Sequence, residues 1–158
     1  MQQGLIHLHN FLRWFVLLFA LWAMVKAAGG MGGNKAFTKS DKRPALLLMV
    51  VCDIQLLVGL VLYITGAWGI KNISNMGGMG AIMKDKASRF WGVEHITGML
   101  VAIVLIHIGY AAIKKDIPDG AKFKKVFWYI FLAMVIIIAT IPWPFREVVG
   151  RPLFPGMH

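Results

Sequence analysis

The chain has 158 residues, of which 58% are hydrophobic, and this apolar fraction exceeds that of an ordinary soluble domain. Its 17 basic residues outnumber its seven acidic residues, but they lie between apolar runs, where loops meet anionic lipid headgroups. Composition therefore argues against a soluble nucleic-acid-binding domain and predicts a protein that contacts the lipid bilayer.

Four apolar runs are long enough to cross a bilayer, which requires about 20 residues in a helix. Each run should be helical, because a single strand cannot satisfy its backbone hydrogen bonds in lipid. The first run is expected to stay in the mature protein, since the start "MQQGLIHLHN" lacks the basic residues of a cleavable signal. The predicted spans are residues 5–28, 44–70, 90–113 and 126–145.

Glycine and proline mark the ends of these spans. The stretch "GGMGGN" ends the first span, Pro44 suits the first turn of the second helix, and the prolines of "IPWPF" end the fourth. The Gly- and Met-rich connection 71–89 is interpreted as a surface helix, a partner contact or a mobile cap. Together these features predict an all-α, integral membrane, antiparallel four-helix bundle that forms a single domain over residues 1–158.

Lysine and arginine are distributed unequally between the two ends of this predicted bundle. Ten of them lie in or beside the first and third connections, whereas six lie in the second connection and the C-terminal tail. The positive-inside rule then places both termini outside the cytoplasm.

Polar side chains inside the spans are the candidate functional residues. A charge at the membrane centre costs about 2.5–3.5 kcal/mol, so such groups usually face the bundle and mark function. The candidates are His7, His9, Arg13, Asp53, Gln55, Glu94, His95 and His107.

One group of candidates lies toward the end of the bundle that carries the termini. His9 lies about 6 Å into the first span, and His95 lies about 7 Å into the third span from the same side. Because these two spans are diagonal in an antiparallel bundle, the imidazoles can face each other across the core. Haem would fit there, with one histidine on each axial face. Arg13, one turn from His9, could pair with a haem propionate or with Glu94.

Two other interpretations of the histidine pair stay open. Lipid headgroups could wet the two rings near the ends of their spans, or the rings could bind a metal ion without haem. A zinc site is disfavoured, because it needs three or four ligands and the sequence has no tight His/Cys spacing. His7 lies about 200° around the helix from His9, so both cannot easily face one centre.

Asp53 and His107 form a second candidate group, nearer the other end of the bundle. They could meet as an ion pair or through water. The functional interpretation is a proton path or a contact with a quinone. The structural interpretation is a hydrogen bond that joins two helices.

The stretches "LHNFLRW", "RFWGVEH", "HIGY" and "IPWPFRE" resemble a family of small four-span membrane proteins from Bacteroidota, commonly labelled cytochrome b or cytochrome b-like. The resemblance implies a carrier of haem b in the bacterial inner membrane, where the positive-inside rule would make both termini periplasmic. It implies His9 and His95 as iron ligands and His107 as a possible further ligand, whereas a second haem would need four paired histidines. No C-x-x-C-H motif for covalent haem is present.

Three functions follow from these expectations. The first is an electron carrier with one non-covalent haem, which exchanges electrons with a quinol or a respiratory partner; Arg13 and Glu94 would support the ligands. The second is a haem-free accessory subunit of a larger respiratory membrane complex. The third is a channel or transporter that uses Asp53 and His107. A carrier or a subunit fits the sequence better than a stand-alone enzyme.

Overall fold

The computed structural model describes residues 2–154 and is all-helical over that range. Four helical segments are long and apolar enough to cross a membrane, which confirms the prediction of an all-α four-helix bundle. As the terminal residue of the sequence, His158 is predicted to be solvated, and it lies outside the described residues. The helices are α1 (Gln2–Ala28), α2 (Lys39–Thr65), α3 (Ile70–Asn75), α4 (Met79–Ile82), α5 (Lys86–Arg89), α6 (His95–Ala112) and α7 (Asp119–Thr140).

The long helices form a closed ring of neighbours. Helix α1 packs against α2 and α7, and α6 packs against α7 and α2, so α1 and α6 are diagonal. We call the end that holds residue 2 and the tail from residue 141 the terminal end. The opposite end, with connections 29–38 and 113–118, is the lysine-rich end.

Small side chains alternate with larger aliphatic and aromatic side chains in the core of the bundle. Six alanines have exposed fractions of at most 2%, which lets the helix backbones approach closely, as in membrane bundles. Large apolar side chains such as Leu18, Val25 and Leu57 point outward instead, with exposed fractions of 58%, 64% and 64%. The buried alanines are Ala20, Ala23, Ala27, Ala45, Ala102 and Ala133.

Helix α2 begins at Lys39, so the prediction that Pro44 lies in its first turn is wrong. The Thr38 backbone N–H and hydroxyl donate to Asp41 Oδ2 at 3.1 and 2.7 Å, and this capping arrangement starts the helix earlier. Pro44 is therefore the sixth residue of α2, where its ring nitrogen cannot donate to the Ser40 carbonyl. The same helix ends at Thr65, five residues before the predicted end of the second span.

Helix α7 is displaced from the predicted span 126–145, since it begins at Asp119 and ends at Thr140. Pro142 disfavours helical backbone at the preceding Ile141, whose ψ is 134°. The helix therefore stops there, and the remaining "PWPF" stretch belongs to the tail. At its other end, α7 includes first turns that contain lysines and lie outside the predicted span.

The third long segment is continuous from Lys86 to Ala112 but contains one irregular turn. Residues Phe90–Glu94 form a π-helical turn between α5 and α6, and the N–H of His95 donates to the carbonyl of Phe90. Connection 71–89 is largely helical, because it contains α4, α5 and all of α3 except its first residue.

Candidate functional site

His9 and His95 meet across the terminal end of the bundle. Their ring centroids lie 6.3 Å apart, and the ring planes are inclined at 69°. The two residues come from the diagonal helices α1 and α6, which do not pack directly against each other along their length. Their approach depends instead on α2 and α7, which hold α1 and α6 at this spacing.

A backbone carbonyl fixes the orientation of the His95 ring. Nδ1 of His95 lies 3.0 Å from the carbonyl oxygen of Thr140. Because a carbonyl only accepts, Nδ1 must carry the hydrogen, which leaves Nε2 of the neutral ring with a free lone pair. This is the tautomer in which a histidine binds a metal through Nε2. A π-helical turn lies directly before His95. Such turns are frequent at functional sites.

The His9 ring lies against the backbone of α2. A Cβ atom placed on Gly59 would lie 3.1 Å from Cε1 of His9, so glycine leaves the space that the ring occupies. One turn away, Gln55 Nε2 donates to the His9 carbonyl at 2.9 Å and fixes α1 against α2. Nδ1 of His9 is buried and has no hydrogen-bond partner among the described residues. A buried nitrogen of this kind requires a physical explanation.

The C-terminal tail covers this end of the bundle. Arg13, which is buried, donates to the carbonyls of Pro152 and Leu153 at 2.8 and 2.6 Å. Asn10 Nδ2 also donates to the Pro152 carbonyl, and Trp14 Nε1 donates to the Leu153 carbonyl, each at 3.0 Å. Three side chains of α1 therefore hold the tail by its backbone.

These contacts correct the expected pairing of Arg13 with Glu94. Glu94 Oε1 lies 2.6 Å from Nε of Arg89, and this ion pair is partly exposed at the surface. Arg13 is occupied by the tail carbonyls. The prediction placed Arg13 on the His9 face of α1 from spacing alone, whereas the fold of the tail decided its partners.

Asp53 and His107 are brought together on α2 and α6. His107 Nε2 lies 3.3 Å from Asp53 Oδ1, and the side chains are 43% and 44% exposed. Twelve residues separate His107 from His95, which is about 18 Å along a helix, so His107 cannot join the His9–His95 pair as a further ligand. Over residues 2–154, no group of three or more His, Cys, Asp or Glu side chains could hold a metal ion.

The spacing of the His9 and His95 rings would suit two imidazoles that bind one haem iron. Metal–imidazole bonds are about 2.0–2.1 Å long, so two rings on opposite sides of one ion have centroids roughly 6 Å apart. The observed 6.3 Å agrees with that spacing. Nε2 of His95 is available, and the buried Nδ1 of His9 has no protein partner. Phe90 and Trp91 lie 5.8 and 5.7 Å from the His95 ring, as ring-centroid distances, and provide an apolar surround.

The sequence did not predict three of the residues that shape this site, namely Thr140, Pro152 and Leu153. Thr140 orients His95 through its carbonyl, and the tail carbonyls hold Arg13. A signal for the first was present, because the last four carbonyls of a helix lack internal partners and Pro142 forbids continuation of α7. No sequence signal identifies the side chain that donates a hydrogen bond to this carbonyl.

The fold and these polar groups define a four-helix bundle whose long helices are apolar enough to cross a membrane, with an imidazole pair near one end. The chain matches no protein-family model, no curated protein and no solved structure. The resemblance to four-span cytochrome b-like proteins therefore stays a prediction.

Proposed function

We propose that the protein is a membrane b-type cytochrome that carries electrons through one non-covalent haem. The observation that carries this proposal is the approach of His9 and His95 from diagonal helices, with centroids 6.3 Å apart. When bound, the haem supplies one-electron redox chemistry. The chain supplies the axial imidazoles, their orientation and the exclusion of water.

Each surrounding residue has a separate part in this proposal. The Thr140 carbonyl accepts a hydrogen bond from the Nδ1–H of His95 and so leaves its Nε2 with a free lone pair. Gly59 leaves room for the His9 ring, and Gln55 anchors the backbone of His9 to α2. Arg13 keeps the tail over the terminal end, which separates the imidazole pair from the aqueous phase. The electron partner is a quinol or a subunit of a respiratory complex.

An absorption spectrum tests the haem proposal directly. Full-length protein is expressed with ample haem supply, purified in mild detergent, and measured after oxidation and after reduction with dithionite. We expect a reversible shift of the Soret band, with haem lost in His9→Ala and in His95→Ala. His7→Ala is the matched control and should retain the haem, because His7 is directed away from His9. Absence of haem absorption in the wild-type protein contradicts the proposal.

A second candidate function is a haem-free accessory subunit of a larger respiratory membrane complex. The observation that favours it is the edge contact between the two imidazoles, together with the bond from His95 to Thr140, which can stabilise the bundle without iron. This function predicts co-purification in a fixed stoichiometry and no intrinsic chromophore. If gentle extraction always yields the free chain, the accessory-subunit function is contradicted.

We further propose that the protein lies in the bacterial inner membrane with its terminal end facing the periplasm. Ten lysines and arginines belong to the lysine-rich end and six to the connection and tail of the terminal end, which the positive-inside rule relates to orientation. Cys52 is buried and is the only cysteine, so a Cys52→Ala background permits site-directed labelling.

Single cysteines introduced in that background at Ile117 and Met76 report opposite ends of the bundle. A membrane-impermeant maleimide added to intact spheroplasts should label the cysteine at 76 and spare the cysteine at 117. The label should reach position 117 only after the membrane is permeabilised. The reverse pattern would show the opposite orientation.

A further inference from the structure

A groove on the outside of the bundle runs between α2 and α6. It has a volume of about 560 Å³, which lies within the usual range for small-molecule sites. Its lining is aliphatic apart from Asp53 and His107, whose side chains lie 3.3 Å apart, at ion-pair distance. Because these two groups are partners of each other, an occupant of the groove needs no polar group at their depth. The aliphatic lining comprises Leu56, Leu100, Ile103, Val104, Ile108 and Ala111.

The groove covers the depth of one leaflet of a bilayer. It begins at Leu100, near the midpoint of the third long segment, Lys86–Ala112. From there to Ala111 it follows α6 for about 17 Å, at the helical rise of about 1.5 Å per residue. The hydrocarbon core of a bilayer is about 30 Å thick, and one leaflet contributes half of that thickness. An acyl chain that enters from the lysine-rich end therefore matches the groove in length.

Two lysines stand at the outer end of this groove, one on each wall. Lys42 precedes the groove-lining Asp53 by 11 residues, which is about three helical turns, so both lie on the same face of α2. Lys114 follows the groove-lining Ala111, and its N–H donates to the Ala111 carbonyl at 3.1 Å. It therefore continues the groove-lining face of α6. Both lysines lie where lipid phosphates meet the hydrocarbon core.

The ammonium groups of these lysines converge on one aromatic ring. Nζ of Lys42 lies 5.7 Å from the centroid of the Tyr110 ring, and Nζ of Lys114 lies 5.2 Å from it. Both distances permit a cation–π contact. The carboxylates that form ion pairs within residues 2–154 do so with other side chains. Two like charges from neighbouring helices are thus held near each other without a carboxylate partner from that range, which favours an anion between them.

We propose that the groove binds an anionic phospholipid, with one acyl chain between α2 and α6 and the phosphate between Lys42 and Lys114. The aliphatic walls contact the chain, and the two ammonium groups neutralise the headgroup. Basic pockets between membrane helices recognise anionic headgroups through the same attraction. A zwitterionic phospholipid offers the same chain but carries its own cation, so the site discriminates against it.

The lipid site is separate from the imidazole pair. His95 lies about 28 Å from Lys114 along the helix, which is too far for a headgroup at the lysines to touch it. Binding of the lipid therefore does not depend on haem. His95→Ala should abolish haem absorption and leave the lipid affinity unchanged.

Native mass spectrometry of the full-length protein in mild detergent tests the lipid site. The protein is titrated with phosphatidylglycerol or with phosphatidylcholine of identical acyl chains, and the dissociation constant of the first bound lipid is measured for each. We expect phosphatidylglycerol to bind at least tenfold more tightly, because each lysine near an anionic headgroup contributes about fivefold to affinity. Equal affinity for the two lipids would overturn the proposal.

Charge variants locate the headgroup. Lys42→Gln combined with Lys114→Gln should lower the affinity for phosphatidylglycerol to that for phosphatidylcholine. Lys124→Gln combined with Lys125→Gln removes the same charge from α7, which does not line the groove, and should leave the preference intact. Lys42→Arg combined with Lys114→Arg keeps both charges and should also retain it. A preference that survives the loss of Lys42 and Lys114 would place the lipid elsewhere and overturn the proposal.

Ala111→Phe tests the place of the acyl chain. The larger side chain fills the groove while it leaves both lysines in place. It should weaken the binding of phosphatidylglycerol and of phosphatidylcholine alike, because both chains need the same space. Circular dichroism of each variant checks that the helices are intact. Unchanged affinity for phosphatidylglycerol in folded Ala111→Phe would show that the chain lies outside the groove, contrary to the proposal.

Two other occupants have distinct outcomes in the same experiments. If inorganic phosphate displaces phosphatidylglycerol at constant ionic strength, the lysines hold a free anion rather than a lipid. If the protein forms a stable dimer in detergent that Ala111→Phe converts to a monomer, a second copy of the chain covers the groove. Either result would overturn the assignment to a phospholipid.

Discussion

Gly98 keeps α6 close to α7, one turn after His95. A Cβ atom at this position would lie 2.6 Å from Cγ2 of Thr140, which is far inside normal contact distance. Thr140 cannot easily rotate away, because its side chain is branched and its hydroxyl donates to the Ile136 carbonyl at 2.7 Å. Since the Thr140 carbonyl orients His95, the glycine supports the candidate site as well as the packing.

We expect Gly98→Ala to lower the free energy of unfolding by about 1–2 kcal/mol, even after the gain of roughly 1 kcal/mol in helix propensity. The measurement is unfolding in mixed detergent micelles, followed by circular dichroism. Gly4→Ala is the control, since a Cβ atom there would meet nothing within 4 Å. Thr140→Ser removes the clashing methyl group and should restore most of the stability of Gly98→Ala. A stable Gly98→Ala variant would show that α6 and α7 move apart freely.

At the scale of the elements, a side-chain cap starts the third long segment. Asp85 precedes α5, and its Oδ1 accepts a hydrogen bond from the Ser88 N–H at 2.7 Å. Ser88, through its hydroxyl and then its backbone N–H, holds the pKa of the Asp85 carboxyl below its ordinary value. Because the ionised carboxylate makes the cap, its contribution is present near neutral pH and is lost as the pH falls through this lowered pKa.

An NMR titration of the Ser88 amide checks this cap. In the folded protein in micelles, the amide resonance should shift with a midpoint below about 3.9, the ordinary pKa of aspartate. Asp85→Asn should abolish the shift. Asp116→Asn, in a different connection, should leave it unchanged. A midpoint at or above the ordinary value would show that the cap is absent in solution.

At the scale of the whole molecule, the tail closes the terminal end of the bundle. Two tail amides are themselves bonded: Arg151 N–H donates to the Pro142 carbonyl at 2.9 Å, and Gly150 N–H donates to the Arg146 carbonyl at 2.6 Å. Arg13 joins this folded tail to α1. Removal of its guanidinium would take the charged donor from the Pro152 and Leu153 carbonyls and leave each with one neutral donor, from Asn10 and from Trp14.

We expect Arg13→Gln to accelerate hydrogen exchange at Gly150 and Arg151 at least tenfold, because hydrogen bonds from a charged group contribute about 1.5–3 kcal/mol. Hydrogen–deuterium exchange of peptides from residues 141–154 provides the measurement. Arg151→Gln serves as the control, since that guanidinium lies over the Trp91 ring. Unchanged exchange in Arg13→Gln would mean that the tail holds its position without the arginine.

Hydrophobic run length was enough to predict the four helices, their antiparallel order and the diagonal relation of α1 and α6. The ends of the helices were less accurate. Span 126–145 was displaced because Pro142 ends α7 earlier than its apolar composition suggests, and Pro44 was misplaced because the Thr38–Asp41 contacts start α2 ahead of it. Local hydrogen bonds, which hydropathy does not register, decide such boundaries.

The level of His9 and His95 along the bundle followed from residue spacing, and so did their choice as a candidate pair. The sequence by itself determined that these imidazoles share a depth, because helical rise converts residue number into distance. Only the tertiary structure decided that Thr140 orients His95, that Gly59 accommodates His9, and that Arg13 binds the tail rather than Glu94. These partners come from distant segments, and the rotation of each helix about its own axis, set by packing and by the π-helical turn, selects them.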